Sequence, residues 1–70
     1  MTLRDARRRA ELTQTALADK AGLEQAYISK LEIGKVANPS FETVLALAVA
    51  LNLDPRQLRF GHRDSEQVAS

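Results

Sequence analysis

The stretch TQTALADKAGLEQAYISKLEIG, residues 13–34, constrains the fold of this chain more than any other segment. Thr13 can cap a helix that runs from about Gln14 to Ala21, and Gly22 can take the positive φ that ends such a helix. A second helix, from about Glu24 to Ile33, begins within two residues of that glycine. The sequence therefore predicts two short helices joined by a tight turn, and the rest of the chain has to pack around that pair.

The second of these helices carries an apolar face and a small polar face opposite to it. At 100° per residue, Ile28 and Leu31 share one side of the helix, which suits a core. The opposite side carries Ala26, Ser29, Lys30 and Ile33, with Gln25 at the N-terminal end. Two helices joined by a turn that contains glycine are typical of the helix-turn-helix motif. We therefore hypothesise that this polar face enters the major groove of DNA.

Two further helices are predicted on either side of this pair. The first runs from about Leu3 to Ala10, with Thr2 as its cap. The fourth follows Ser40 and extends to about Leu51, and it is apolar almost all round. A helix of that kind is typical of the centre of a small core, so the fourth helix is expected to lie beneath the other elements.

The segment after the fourth helix is predicted to form a short fifth helix, from about Pro55 to Phe60. Asp54 is a suitable N-cap for it, and proline suits its first position. Residues 61–70 are small and polar and are expected to form a flexible C-terminal tail. Seventy residues have room for one small domain, so residues 1–60 are expected to form a single all-α domain.

The composition of the chain bounds its class. It has no cysteine, which excludes a disulfide framework and a thiolate metal site. No apolar run approaches the roughly 20 residues of a membrane span, and MTLRDARRRA lacks the apolar core of a signal peptide. We therefore expect a soluble, cytoplasmic protein that does not contact a membrane.

The net charge is only +1, from ten Lys and Arg against nine Asp and Glu, which is modest for a nucleic-acid binder. The distribution is uneven, because most cations lie in the first half of the chain: Arg4, Arg7, Arg8, Arg9, Lys20, Lys30 and Lys35. On charge alone, a basic binding surface and an ordinary solvated surface are equally compatible with the sequence.

An enzyme and a cofactor site are not expected. His62 is the only histidine, and the chain offers it neither a cysteine nor a second histidine with which to hold a metal. No serine or carboxylate stands in a recognisable nucleophile or acid–base motif, and no glycine-rich loop is present to hold a phosphate. The function is therefore expected to be binding rather than catalysis.

Three motifs follow one another along the chain: LTQ..LA.KAG, YISKLE.GK and NPS.ETV..LA.AL. Any one of them alone would be weak. Together, in this order and at these spacings, they resemble the phage-repressor or Xre type of helix-turn-helix regulator, which is lambda-repressor-like or Cro-like. The match extends from about Leu3 to Leu58. The resemblance implies a compact five-helix bundle in which the second and third helices bind DNA.

The resemblance also implies roles for individual residues. Those implied to contact base edges are Gln25, Ala26, Ser29 and Lys30. Those implied to contact phosphates are Thr13, Gln14, Tyr27, Lys35 and Asn38, and Gln14 is also implied to brace the recognition helix. Arg7 and Glu32 are implied to form a partly buried salt bridge between the first and third helices. The same side chains could instead be ordinary exposed polar residues, and for Ser29 and Tyr27 neither interpretation is preferred.

The chain departs from the family pattern at three positions that bear on shape and charge. Glu11 stands where the family often has glycine, so the turn after the first helix is expected to be strained or differently shaped. Glu24 stands where Ser or Thr usually caps the third helix, and its carboxylate suits the helix dipole but would repel a nearby phosphate. Asn52 replaces a common glycine and can serve as a left-handed cap.

The predicted function is a dimeric repressor that reads an inverted-repeat operator in double-stranded DNA. One recognition helix reads only a few base pairs, so such domains usually pair, with two helices in major grooves about 34–36 Å apart. The candidate homodimer interface is Leu53, Leu58 and Phe60, although Phe60 could equally fill the core. The alternative function is an antitoxin or another protein-binding module, whose partner is a toxin or an associated domain and which could also repress its own operon.

Overall fold

The computed structural model describes residues 1–60, and these residues form four α-helices and one short 3₁₀ turn. The α-helices are α1 (Leu3–Arg9), α2 (Gln14–Ala21), α3 (Gln25–Glu32) and α4 (Phe41–Leu51). Each lies within one residue of the range predicted for it at both ends, and the prediction of an all-α chain is confirmed for this part. The predicted flexible tail, residues 61–70, and with it His62, lies outside the described residues.

Three of the four helices begin at a side-chain cap. The hydroxyl oxygens of Thr2, Thr13 and Ser40 each accept a hydrogen bond from the backbone N–H three residues further on, at 3.0 to 3.2 Å. Each bond satisfies a donor that the helix itself leaves unpaired and stabilises the helix by about 1 kcal/mol. α3 is the exception, because its cap residue Glu24 makes no such bond.

The core lies between α2, α3 and α4, with α1 and the C-terminal turn closing its edges. Its fully buried centre consists of Leu17 of α2, Ile28 of α3 and Leu47 of α4. The remaining buried apolar side chains are Leu3, Ala6, Ala18, Leu31, Ala48, Leu51 and Leu58. α4 is less deeply buried than its apolar sequence predicts, since Phe41 and Val49 are exposed. The core therefore supports α2 and α3 from one side and leaves the opposite side of α3 free.

The predicted fifth helix is wrong in both length and type. The turn is a 3₁₀ helix of three residues, Pro55–Gln57, and Leu58 is already extended with φ −92° and ψ 139°. The cap at Asp54 forms as predicted, and the Asp54 backbone N–H donates a hydrogen bond to the side-chain oxygen of Gln57. The helix does not extend beyond this single turn, because the Leu58 side chain enters the core and the Arg59 N–H donates to the Met1 carbonyl at 2.8 Å.

Within residues 1–60, no helix has both the length and the apolar composition that crossing a membrane requires. The longest, α4, has 11 residues, which is about half the length of a membrane-spanning helix.

Candidate nucleic-acid interface

The turn between α2 and α3 depends on the left-handed backbone of Gly22, with φ 71° and ψ 31°. Its N–H donates to the Asp19 carbonyl at 3.3 Å, and the Leu23 N–H reaches the Ala18 carbonyl at 2.8 Å. A β-carbon at Gly22 would meet no atom within 4 Å, so the constraint at this position is conformational rather than steric. The turn thereby sets α3 directly after α2 at a fixed angle.

The outward face of α3 consists of small and polar side chains. Gln25, Ala26 and Lys30 are exposed, and Ser29 and Tyr27 are half-buried. On the other side, Ile28 and Leu31 are buried, as the helical periodicity predicts. Thr13, at the cap of α2, and Lys35 and Asn38, in the loop after α3, are also exposed. The arrangement leaves one side of α3 available for contact along its whole length.

A continuous chain of polar side chains connects the interior of the domain to the N-terminal end of that face. Arg7 Nε donates to Glu32 Oε2 at 2.6 Å, and Arg7 Nη2 donates to Glu32 Oε1 at 3.1 Å. Gln14 Nε2 donates to the same Oε1 at 3.1 Å. Gln25 Nε2 in turn donates to Gln14 Oε1 at 2.6 Å. This polar chain, Arg7–Glu32–Gln14–Gln25, links α1, α2 and α3.

The charge at the buried end of the polar chain determines how the exposed amide is oriented. An ionised carboxylate can only accept hydrogen bonds, so Gln14 has to present its NH₂ group to Glu32. The Gln14 carbonyl oxygen then faces Gln25, which has to present its own NH₂ group in turn. Gln25 is left with a free carbonyl oxygen and one free N–H. It therefore offers one acceptor and one donor to whatever meets this end of α3.

The Glu32 carboxylate is fully buried, with a side-chain exposure of 0%, while that of Arg7 is 13%. Burial raises the pKa of Glu32, but the hydrogen bonds from Arg7 and Gln14 outweigh it and hold that pKa below its ordinary value. The hydrogen bond to Glu32 raises the pKa of Arg7. Arg4 approaches the same carboxylate at 3.5 Å from the solvent side. Both charges are therefore present at neutral pH, and the polar chain is intact.

Arg7 also fixes the turn that precedes α2. Its Nη1 donates to the Leu12 carbonyl at 2.9 Å, immediately before the helix cap. Glu11, one residue earlier, has a positive φ of 61°, so the strain expected in that turn is present. The turn places Gln14 at the first position of α2, within reach of Glu32 and Gln25.

Glu24 places a negative charge beside Gln25. It is exposed, and its side chain makes no bond to the N-terminal N–H groups of α3. It borders a shallow hollow together with Tyr27 and Thr43, on the side of α3 that faces α4. The candidate interface is therefore polar and negatively charged at the N-terminal end of α3, while Lys30 and Lys35 make its C-terminal end basic.

The structure specifies a contact for Gln14 that the sequence analysis describes only in general terms. The resemblance implies that Gln14 braces the recognition helix, and the Gln14 amide is hydrogen-bonded to the amide of Gln25, the first residue of that helix. Ile33, to which no motif assigns a role, presents a large exposed side chain at the C-terminal end of the same face.

The three residues predicted for the dimer interface differ in their exposure. Leu58 packs into the core with only 7% of its surface exposed, and it therefore cannot present its side chain to a partner in this conformation. Leu53 and Phe60 are half-buried against the same core and keep part of their surface free.

A family model described as a helix-turn-helix domain matches residues 1–60, which is most of the chain. The matched residues coincide with the part of the chain that the structure describes. The match supports a helix-turn-helix protein that binds DNA, and domains of this family are typically non-enzymatic. Within these residues, no three His, Cys, Asp or Glu side chains come together to hold a metal ion.

Proposed function

This chain belongs to the helix-turn-helix domain family, and we propose that it is a dimeric, sequence-specific transcriptional repressor of the phage-repressor or Xre type. The observation that carries the proposal is the polar chain, which aims the amide of Gln25 outward from the N-terminal end of α3. A surface amide with no binding role has little need of such support. The alternative of an antitoxin-like protein-binding module is not favoured by the family match.

In the proposed complex, α3 lies in the major groove, where each base pair presents its own pattern of donors and acceptors. Gln25 supplies one acceptor and one donor, which match the N6 amino group and N7 of adenine. Lys30 is placed to donate to guanine O6 and N7, and Ala26 to touch a thymine methyl. Lys30 stands five positions after Gln25, a rise of about 7.5 Å, which covers about two base-pair steps.

Phosphate contacts are proposed for the residues that flank α3. Lys35 and Asn38, in the loop between α3 and α4, are exposed beside its C-terminal end. Thr13 and Gln14 stand at the N-terminus of α2, where the helix dipole favours an anion. Gln14 keeps one N–H that neither Glu32 nor Gln25 uses, so it can bind a phosphate without breaking the polar chain. Tyr27 completes the proposed set.

A homodimer is proposed because one α3 helix reads too few base pairs for useful specificity. Two copies would place their α3 helices in successive major grooves about 34–36 Å apart on an inverted repeat. Leu53 and Phe60 are the residues proposed to form the interface, since each is apolar and only half-buried. A repressor of this kind would act in the cytoplasm.

The test is selection of bound sequences from a pool of random double-stranded DNA, followed by affinity measurements at two salt concentrations. We expect an enriched inverted repeat whose affinity falls as salt rises. Lys30→Ala should relax the preference at one base position per half-site. Lys35→Ala is the matched control, since it removes the same charge from a proposed phosphate contact and should weaken all sequences equally. Absence of any enriched sequence would sink the proposal.

A further inference from the structure

Ile33 is a large apolar side chain on the face of α3 that the proposed function turns toward DNA. It is 58% exposed, whereas Ile28 and Leu31 on the opposite side are buried. It stands seven positions after Ala26, and at 100° per residue the two directions differ by only about 20°. Ile33 therefore continues the face that begins at Ala26, two helical turns further along.

The backbone around Ile33 is firmly held. Its N–H donates to the Ser29 carbonyl at 3.1 Å, so it still follows the helix. The next residue, Gly34, has a φ of 83° and reverses the chain, and the N–H groups of Lys35 and Val36 both return to the Lys30 carbonyl, at 2.9 and 3.2 Å. A β-branched side chain on a fixed backbone has few rotamers. Ile33 would therefore lose little conformational entropy in making a contact.

We propose that Ile33 is a specificity-determining residue that recognises a thymine through its 5-methyl group, an inference that rests on the proposed function. The thymine methyl is the apolar group on the base edges of the major groove, where the other recognition groups are hydrogen-bond donors and acceptors. A hydrogen-bond donor or acceptor on the edge of another base, placed against Ile33, would lose its water without gaining a hydrogen-bond partner. The side chain thus favours thymine and disfavours the other bases at the same position.

The spacing on α3 gives the expected position of this thymine. The rise from Ala26 to Ile33 is about 10.5 Å, which corresponds to about three base-pair steps. Ile33 therefore contacts a base about three steps from the one that faces Ala26. Lys30 lies between them and separates two apolar contacts with one basic contact.

The experiment uses the full 70-residue chain and the site enriched from the random pool. Each thymine in one half-site is replaced in turn by deoxyuridine, which removes the methyl group and changes nothing else. The replacement about three base-pair steps from the base that faces Ala26 should weaken binding of the unmodified protein about fourfold, the value of one buried methyl group. In the Ile33→Ala variant, the same replacement should leave the affinity unchanged, because the two changes remove the same contact.

Val49→Ala is the matched control. Val49 is also β-branched and is 76% exposed, but it lies on α4, so this variant should keep the full fourfold sensitivity to deoxyuridine. Thermal melting checks that both variants fold. Should Ile33→Ala fail to fold, Ile33→Thr, which keeps the β-branch, carries the same test with a reduced sensitivity as the expected result.

Two outcomes would overturn the inference and leave the proposed function standing. One is an enriched site at which the base about three steps from the one that faces Ala26 is not a thymine, or is a thymine whose methyl group contributes nothing to affinity. The other is an Ile33→Ala variant that keeps the deoxyuridine sensitivity of the unmodified protein. If no sequence is enriched in the first place, the inference falls together with the proposed function.

Discussion

The amide nitrogen of Gln14 donates a hydrogen bond of 3.1 Å to Oε1 of Glu32, a carboxylate with no exposed surface. This contact joins the buried interior of the domain to the exposed end of α3. On one side of it lies the ion pair with Arg7, which ties α1 to α3. On the other side lies Gln25, on the surface. The charge state of a buried group thereby sets the orientation of the side chain that is proposed to contact a base.

The first prediction concerns Gln14→Ala, which removes the middle of the polar chain. Gln25 would then rotate freely, and we expect the affinity for the enriched site to fall about tenfold, as for loss of a bidentate base contact. The unfolding free energy should fall by only about 1 kcal/mol, since Glu32 keeps both bonds from Arg7. Thr15→Ala, on an exposed position of α2, is the control and should change neither quantity. Equal losses of affinity on all DNA sequences would instead assign Gln14 a phosphate contact alone.

The second prediction concerns the acid stability of the fold. Because the folded state lowers the pKa of Glu32 below its ordinary value of 4.5, the ionised carboxylate stabilises the fold at pH values above 4.5. That stability is lost as the pH falls through the lower pKa of the folded state. Arg7 stays charged throughout, since its own pKa is raised. Urea unfolding from pH 7 down to pH 3 should therefore show stability declining once the pH drops below about 4.5.

Glu32→Gln separates this effect from the other carboxylates. At pH 7 the variant should lose about 3 kcal/mol, because it leaves the largely buried Arg7 guanidinium without an opposite charge. Its stability should then vary less with pH than that of the unmodified protein. Part of the pH dependence should remain in this variant because of Asp54, whose pKa is lowered by the hydrogen bond from Arg56. Asp54→Asn tests that part separately. An unchanged pH profile in Glu32→Gln would mean that acid sensitivity arises elsewhere.

The third prediction concerns backbone strain at Glu11, whose φ is 61°. A residue with a β-carbon is destabilised by about 1–2 kcal/mol at such a positive φ, whereas glycine is not. Glycine in turn costs about 0.5–1 kcal/mol, because it loses more conformational freedom on folding. Glu11→Gly should therefore stabilise the protein by about 0.5–1 kcal/mol and raise the melting temperature by about 4 °C. Asn52→Gly is the matched control at φ 59°, where asparagine is already tolerated, so a smaller change is expected. A lower melting temperature for Glu11→Gly would contradict the strain argument.

The sequence predicts the helices well because their ends are encoded locally. Thr2, Thr13 and Ser40 each cap a helix by bonding to a backbone group three residues away, and such signals can be read without the fold. The C-terminal turn is different, since the end of the helix at Leu58 is decided by the core and by the pairing of Arg59 with Met1. Nothing in the local sequence records those distant partners.

In the candidate site, too, features that belong to one helix can be predicted from the sequence, and features that depend on packing between helices cannot. Periodicity identifies which residues of α3 point outward, because that property belongs to the helix alone. The bond between Gln14 and Gln25 depends on the angle between α2 and α3, and the burial of Glu32 depends on the packing of α1 against both. Such relations require the tertiary structure. The residue types implied for the site were available from the sequence, as were the Arg7–Glu32 pair and a bracing role for Gln14, but the hydrogen bonds that join these residues into one chain were not.

The fourth prediction concerns Glu24, the exposed carboxylate next to Gln25. Its charge would repel DNA phosphates close to the N-terminus of α3, so Glu24→Gln should raise the affinity for all DNA sequences several-fold at low salt and much less at high salt. The same variant should lose about 0.5 kcal/mol of stability, because it removes a favourable interaction with the helix dipole. Glu24→Ser should also bind DNA more tightly, but it should be more stable by about 1 kcal/mol, since serine can supply the cap bond that Glu24 lacks. Asp19→Asn removes the same charge from the C-terminal half of α2 and should raise the affinity less. If both Glu24 variants bind DNA as the unmodified protein does at low salt, this carboxylate lies too far from the phosphates to matter.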